Sequence, residues 1–261
     1  MSDSSALQTQ SSHQTAIASH RGGAGLWPEN SLTAFRNTSL MALDYVEFDV
    51  HLSLDGQLIV HHDPTLERMT NAEGPIASMP WAELQSVKVN DTGGEQLPLL
   101  RDVIAIFAPT AIDLRLEIKA DRQREPYPGI EKKIAEELSA AGVLRRTVVS
   151  SFFLEALIRY RENASSKGLI WLVKPLILRQ VGGIASVVRI AQDHQIDELA
   201  LKHSEITENV VSAVRAAGLR LGAYATNDAD AIQRMLELGV SVFTTDRPDV
   251  ALRLRKAMNG S

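Results

Sequence analysis

From residue 131 onward this chain repeats one unit, an extended apolar run joined to an amphipathic helical pattern, and that rhythm restricts the fold more than any other feature. Helical patterns over 131–141, 154–162, 184–194, 209–217, 229–238 and 248–258 alternate with extended runs near residues 148, 170, 199, 222 and 242. Gly142 and Gly218 stand where a left-handed residue closes a helix, and Pro248 suits a first helical turn. Thr226 or Asn227 is placed to cap the helix over 229–238. Adding earlier runs near 15, 46 and 114 gives eight strands, each followed by a helix or an insertion. Eight strand–helix units in about 250 residues predict a TIM (β/α)8 barrel, with a doubly wound open sheet as the alternative. A dinucleotide-binding version of that sheet is disfavoured, because Gly22-Gly23-Ala24-Gly25 lacks the required glycine spacing.

A barrel places its chemistry where strands end, so the polar residues at those ends matter. The first strand runs into His20-Arg21-Gly22-Gly23, and Pro28-Glu29-Asn30-Ser31 then opens a helix. Asn30 or Ser31 caps it, and Leu32, Phe35 and Leu40 mark its apolar face. The second strand alternates strictly, with Tyr45, Glu47, Asp49 and His51 on one face and Val46, Phe48, Val50 and Leu52 on the other. Asp55-Gly56 signals a hairpin whose return arm, 58–63, carries His61, His62 and Asp63 back toward the acids. Alternation lets only one of the two histidines face them. Residues 64–99 are rich in Pro, Gly and Asn and read as an insertion with a short helix over 81–87, followed by a helix over 100–107. In the strand over 113–119, Arg115, Glu117 and Lys119 share one face.

Three carboxylates at one rim, Glu47, Asp49 and Glu117, suit a hard divalent cation, Mg2+ or Ca2+. Arg21 and Lys119 beside such an ion suit a phosphate, although buried ion pairing with the acids is the plainer reading of both. His20 and His62 on opposite sides of a phosphodiester would serve as general acid and base. His51, His61, His194 and His203 read as packed or surface imidazoles. The chain has no cysteine, which excludes disulfides, thiolate metal sites and a thiol nucleophile. A net charge of −5 argues against nucleic acid as a partner. Residues 1–14 read as a polar tail containing a solvated His13, and with no leader or membrane-spanning pattern the expected location is cytoplasmic. Homo-oligomerisation is left open. Two rival functions remain: an aldolase forming an imine on Lys119, and a catalytically silent phosphodiester sensor.

His20-Arg21-Gly22, Pro28-Glu29-Asn30-Ser31-Leu32-x-Ala34-Phe35, Glu47-x-Asp49-Val50, His62-Asp63, Glu117-Ile118-Lys119 and Thr245-Asp246-Arg247-Pro248 together resemble the glycerophosphodiester phosphodiesterase family. The resemblance spans residues 17–250. It implies one barrel domain over 15–261 with a small insertion at 64–99. It implies hydrolysis of a small glycerophosphodiester to sn-glycerol 3-phosphate and an alcohol, by attack of a neighbouring hydroxyl or of water. It further implies a divalent metal on Glu47, Asp49 and Glu117, acid/base roles for His20 and His62, and phosphate contact from Arg21, with Lys119 assigned to phosphate or charge balance. Tyr224-Ala225-Thr226-Asn227 stands where many members have Trp-Thr-Val-Asn, so Tyr224 is the implied, smaller aromatic contact to glycerol or leaving group. His61 stands where an aliphatic residue is common.

Overall fold

The computed structural model describes residues 14–260. Its strands are β1 (Ala16–Ser19), β2 (Tyr45–Leu52), β3 (Leu58–Val60), β4 (Asp113–Ile118), β5 (Thr147–Ser151), β6 (Gly168–Val173), β7 (Glu198–Lys202), β8 (Arg220–Tyr224) and β9 (Val242–Thr245). All but β3 pair in parallel, in the order β1-β9-β8-β7-β6-β5-β4-β2, and β1 pairs with β2 to close the ring. This is the TIM barrel. β3 lies antiparallel on the end of β2, with Val50 opposite Val60, as the Asp55-Gly56 turn requires.

The helices are α1 (Leu32–Thr38), α2 (Trp81–Leu84), α3 (Leu100–Phe107), α4 (Ile130–Ala140), α5 (Leu154–Asn163), α6 (Pro175–Gln180), α7 (Ile184–Asp193), α8 (Glu208–Ala216), α9 (Ala229–Glu237) and α10 (Pro248–Asn259). They cover the outward residues of the strands, so both faces of the sheet are buried. Phe35 of α1 meets Phe48 of β2 and Phe107 of α3 edge-on, with ring centroids 5.9 and 6.1 Å apart. The barrel lumen holds a separate apolar cluster that includes Ala18, Tyr45, Val148, Ile170, Ala200 and Val242. Within it the guanidinium of Arg115 donates to Glu198 at 2.9 Å, both side chains being buried.

One local alternative is decided and several expectations are corrected. Ser31 caps α1 by accepting from the Ala34 amide, while Asn30 turns away to the site. Leu40 lies beyond the helix and is 86% exposed, because α1 ends at Thr38 and the chain turns there. Asp228, rather than Thr226 or Asn227, caps α9: Thr226 is buried and Asn227 bonds Asp246. α6 has no counterpart in the sequence reading, and α2 is shorter than expected. Residues 64–99 carry an apolar cluster of their own, built from Leu66, Ile76, Leu84, Val87, Val89, Leu97 and Leu99 and seated on Ile59 of β3. Apart from Gln14, the polar tail and His13 lie outside the described residues. No described helix is long and apolar enough to cross a membrane.

Candidate active site

Strand register assembles the site. Asp49 of β2 stands beside Glu117 of β4, and Glu47 stands two residues earlier on the same inward face. Ser19 is flanked by Val46 on one side and Thr245 on the other, so the next residue, His20, falls between Glu47 and Asp246. His20 Nδ1–H donates to Asp246 Oδ1 at 2.5 Å, and its Nε2 lies 3.8 Å from Glu47 Oε2. Arg21 adopts a left-handed backbone (φ 51°) followed by Gly22 at φ 77°, where a Cβ would meet the Ala34 Cβ at 2.9 Å. That turn brings the Arg21 amide to Glu47 Oε2 (3.1 Å) and its guanidinium to Glu29 (2.9 Å) and Asp49 (3.4 Å).

Glu47, Asp49 and Glu117 are 6%, 1% and 8% exposed, and each offers an oxygen within 4.8 Å of the others. Burial and the neighbouring Asp49 push the Glu47 carboxyl up to about 7, and burial likewise raises Glu117. Burial opposes charge on Asp49 too, but Lys119 and Arg21 outweigh it and hold its carboxyl well below the usual range. Lys119 Nζ reaches Glu117 at 2.9 Å and Asp49 at 3.1 Å. Two cations therefore face three buried acids, and Arg21 is shared with Glu29, so the plain ion-pair reading leaves negative charge uncompensated. An all-oxygen donor set in that condition fits a hard divalent cation. Lys119 is held above its ordinary value, since Asp49 and Glu117 overcome the cost of burying it. That is the opposite of what an imine-forming lysine needs.

His62 leaves the hairpin facing this cluster. Its Nδ1–H donates to Asp63 at 2.6 Å, Asp63 is bound by Arg68 at 2.5 Å, and Arg68 also reaches Glu29 at 2.6 Å. Burial lowers the His62 pKa, whereas for His20 Glu47 and the Asp246 bond overcome burial and raise it. Neither Nε2 has a hydrogen-bond partner among the described residues. His61 is buried and bonds the Thr65 carbonyl. His51, fully buried, donates from Nε2 to the His62 carbonyl and accepts from the Tyr127 hydroxyl; burial pushes it down to about 3, so it is a neutral prop. Tyr224 donates to the Val173 carbonyl at 3.2 Å and packs edge-on against Phe152 at 5.7 Å.

Sequence reasoning gave no role at the site to Asp246, Asp63, Glu29, Asn30 or Arg68. Asp246 follows a strand end and Asp63 adjoins His62, which were available signals. Asn30, whose amide donates to Asp49 at 2.8 Å, was read only as a cap. Arg68 sits in the insertion and carried no signal.

The model of the glycerophosphoryl diester phosphodiesterase family matches residues 20–250. A glycerophosphodiester phosphodiesterase of Bacillus altitudinis is 30% identical, over 94% of this chain and 99% of that protein. A solved Agrobacterium tumefaciens structure described under the glycerophosphoryl diester phosphodiesterase name superposes with a TM-score of 0.92 at 34% identity, covering 95% of this chain and all (100%) of that one. A phosphodiesterase of Oleispira antarctica, solved with the product sn-glycerol-3-phosphate, shares the fold at TM-score 0.77 and 23% identity, over 93% of this chain and 97% of that one. With its match running from the first strand end to the final helix, the chain belongs to the glycerophosphoryl diester phosphodiesterase family.

Proposed function

We propose that this chain hydrolyses glycerophosphodiesters to sn-glycerol 3-phosphate and an alcohol, with Glu47, Asp49 and Glu117 holding Mg2+ or Ca2+. The observation that carries this reading is the meeting, at one barrel rim, of three buried carboxylates with two imidazoles each braced by its own aspartate. When bound, the cation neutralises charge on the phosphoryl oxygens. Arg21 and Lys119 bind and orient those oxygens, the guanidinium matching two of them at once. One histidine takes the proton of the attacking water or neighbouring glycerol hydroxyl as the new P–O bond forms; with the hydroxyl the product is a cyclic phosphate, which water then opens to sn-glycerol 3-phosphate in a second step of the same kind. The other gives a proton to the alcohol oxygen as its P–O bond breaks. The opposite directions in which His20 and His62 are shifted suit two opposite proton roles. Asp246 and Asp63 fix the rings so that both Nε2 atoms stay available. Tyr224, its hydroxyl already engaged, offers its ring to the carbon skeleton of the substrate. The sn-glycerol-3-phosphate complex of the Oleispira protein, on the same fold, supports the product assignment.

The test is turnover of a panel of glycerophosphodiesters by purified protein with Mg2+ or Ca2+, read as released glycerol 3-phosphate and repeated in EDTA. Activity that disappears in EDTA and returns with metal is expected. Absence of turnover across the panel leaves the silent-sensor reading, and activity indifferent to EDTA refutes the metal's role.

A further inference from the structure

We propose that the mouth of the active-site cavity is a subsite for the leaving alcohol, and that it selects alcohols carrying a phosphate or carboxylate; this rests on the phosphodiesterase reading above. A cavity of about 340 Å³ is lined at once by Glu117, Lys119 and His62 and by Arg122, Arg124 and Lys174. The first group is buried or half-buried and the second exposed, so the cavity runs from the acid cluster outward. Among the described residues none of the three outer side chains enters an ion pair or a hydrogen bond. Lys174 only rests over the Phe152 ring, 5.1 Å from its centroid, and Arg122 lies in the field of Glu67 without bonding it.

The carboxylates of the lining make no ion pair with these three cations. Asp121 Oδ1 accepts the amides of Gln123 and Glu125 at 2.9 and 2.8 Å, and Asp63 is bound by His62 and Arg68. The loop carrying the arginines is closed by pairing of Ala120 with Pro126, and Arg124 holds a left-handed backbone within it (φ 67°). A chain with net charge −5 thus gathers three cations without an ion-pair partner at one opening, against one unpaired carboxylate of the lining, Asp121.

Every glycerophosphodiester has a neutral glycerol and one phosphate, and Arg21 and Lys119 already meet that phosphate. Three further cations have nothing to match in a choline or ethanolamine diester and repel its ammonium. An alcohol with its own phosphate or carboxylate supplies the missing anion. Exposed pairs of this kind are each worth about two- to fivefold, so the three together give a preference of about tenfold or more.

The experiment compares kcat/KM for glycerophosphocholine, glycerophosphoglycerol and glycerophosphoinositol 4-phosphate under saturating metal, at low and high salt. The inositol phosphate diester is expected to lead the choline diester by about tenfold or more at low salt, with the gap closing at high salt. In the Arg122→Gln/Arg124→Gln/Lys174→Met protein that lead should vanish while turnover of glycerophosphoglycerol stays within about twofold. Equal or better use of the choline diester, or an unchanged lead in the triple variant, overturns the subsite and leaves the phosphodiesterase reading intact. No turnover of any of the three diesters overturns both.

Discussion

Replacing Glu47 by glutamine changes the charge of the acid cluster with almost no change of volume, so it separates what the cluster costs from what it binds. Burial and Asp49 move the Glu47 carboxyl from 4.5 to about 7. A carboxyl raised on folding lowers stability as it ionises: the cost is absent below pH 4.5, grows as pH rises and is complete above about 7. A shift of this size amounts to ~3 kcal/mol, with the attraction of His20, 3.8 Å away, already set against burial and Asp49. The glutamine oxygen can still accept the Arg21 amide that Glu47 accepts at 3.1 Å. In EDTA at pH 8 the Glu47→Gln protein is therefore expected to melt ~5–10 °C above the unsubstituted one, and near pH 5 the two should coincide. Saturating Mg2+ or Ca2+ narrows that gap: a ligand at 100 times its Kd adds ~2.7 kcal/mol to the protein that binds it, and the variant gains less. Thermal melts at the two pH values, with and without cation, read all of this. If the variant melts at or below the unsubstituted protein in EDTA at pH 8, or if the cation raises both equally, the cluster is not an undercompensated metal site.

Three further outcomes are expected. His20→Asn and His62→Asn should each lower kcat by ~10²–10⁴ while the cation-induced rise in Tm persists, measured by product release and thermal melts. Asp246→Asn and Asp63→Asn should lower kcat by ~10–100-fold with little change in KM, because each misorients a histidine without touching substrate. Glu198→Leu strands the buried Arg115 charge and should cost ~3–5 kcal/mol in urea unfolding, most of it recovered in Arg115→Met/Glu198→Leu, which leaves only the half-exposed Arg220, 3.5 Å from Glu198, without its partner.

The parts of this molecule that obey a period were readable before any coordinates. Alternation on β2 put Glu47 and Asp49 on one face, and the strand–helix count gave the barrel. The Asp55-Gly56 turn sent His62 back to the acids. Strand register was not readable: that Asp49 neighbours Glu117, and that His20 falls between Glu47 and Asp246, depends on how two chain segments slide past each other. The cap of α9 was misjudged by a residue, Thr226-Asn227 standing just before Asp228, whereas of the two candidates at α1, Asn30 and Ser31, the structure selects Ser31. In both cases the rejected candidate, Asn30 or Asn227, is occupied at the site, bonding Asp49 or Asp246. A residue pulled into a site is unavailable to its helix, and local propensity alone does not reveal that competition.

The two histidines depend on different parts of the fold. His20 and its brace Asp246 both come from strand ends, so the barrel's register alone sets them. His62 is braced by Asp63, and Asp63 is held by Arg68, a residue of the insertion. The insertion is in turn fixed at two places: its apolar cluster sits on Ile59 of β3, and Glu95 near its far end accepts from Thr33 and Arg36 of α1. Arg68 also binds Glu29, which bonds Arg21, so the same arginine steadies both His62 and Arg21. The acid cluster and His20 belong to the barrel, whereas the brace on His62 needs the insertion packed in place. On the proposed mechanism the insertion is thus part of the catalytic framework, and changes in it reach His62 through Arg68 and Asp63.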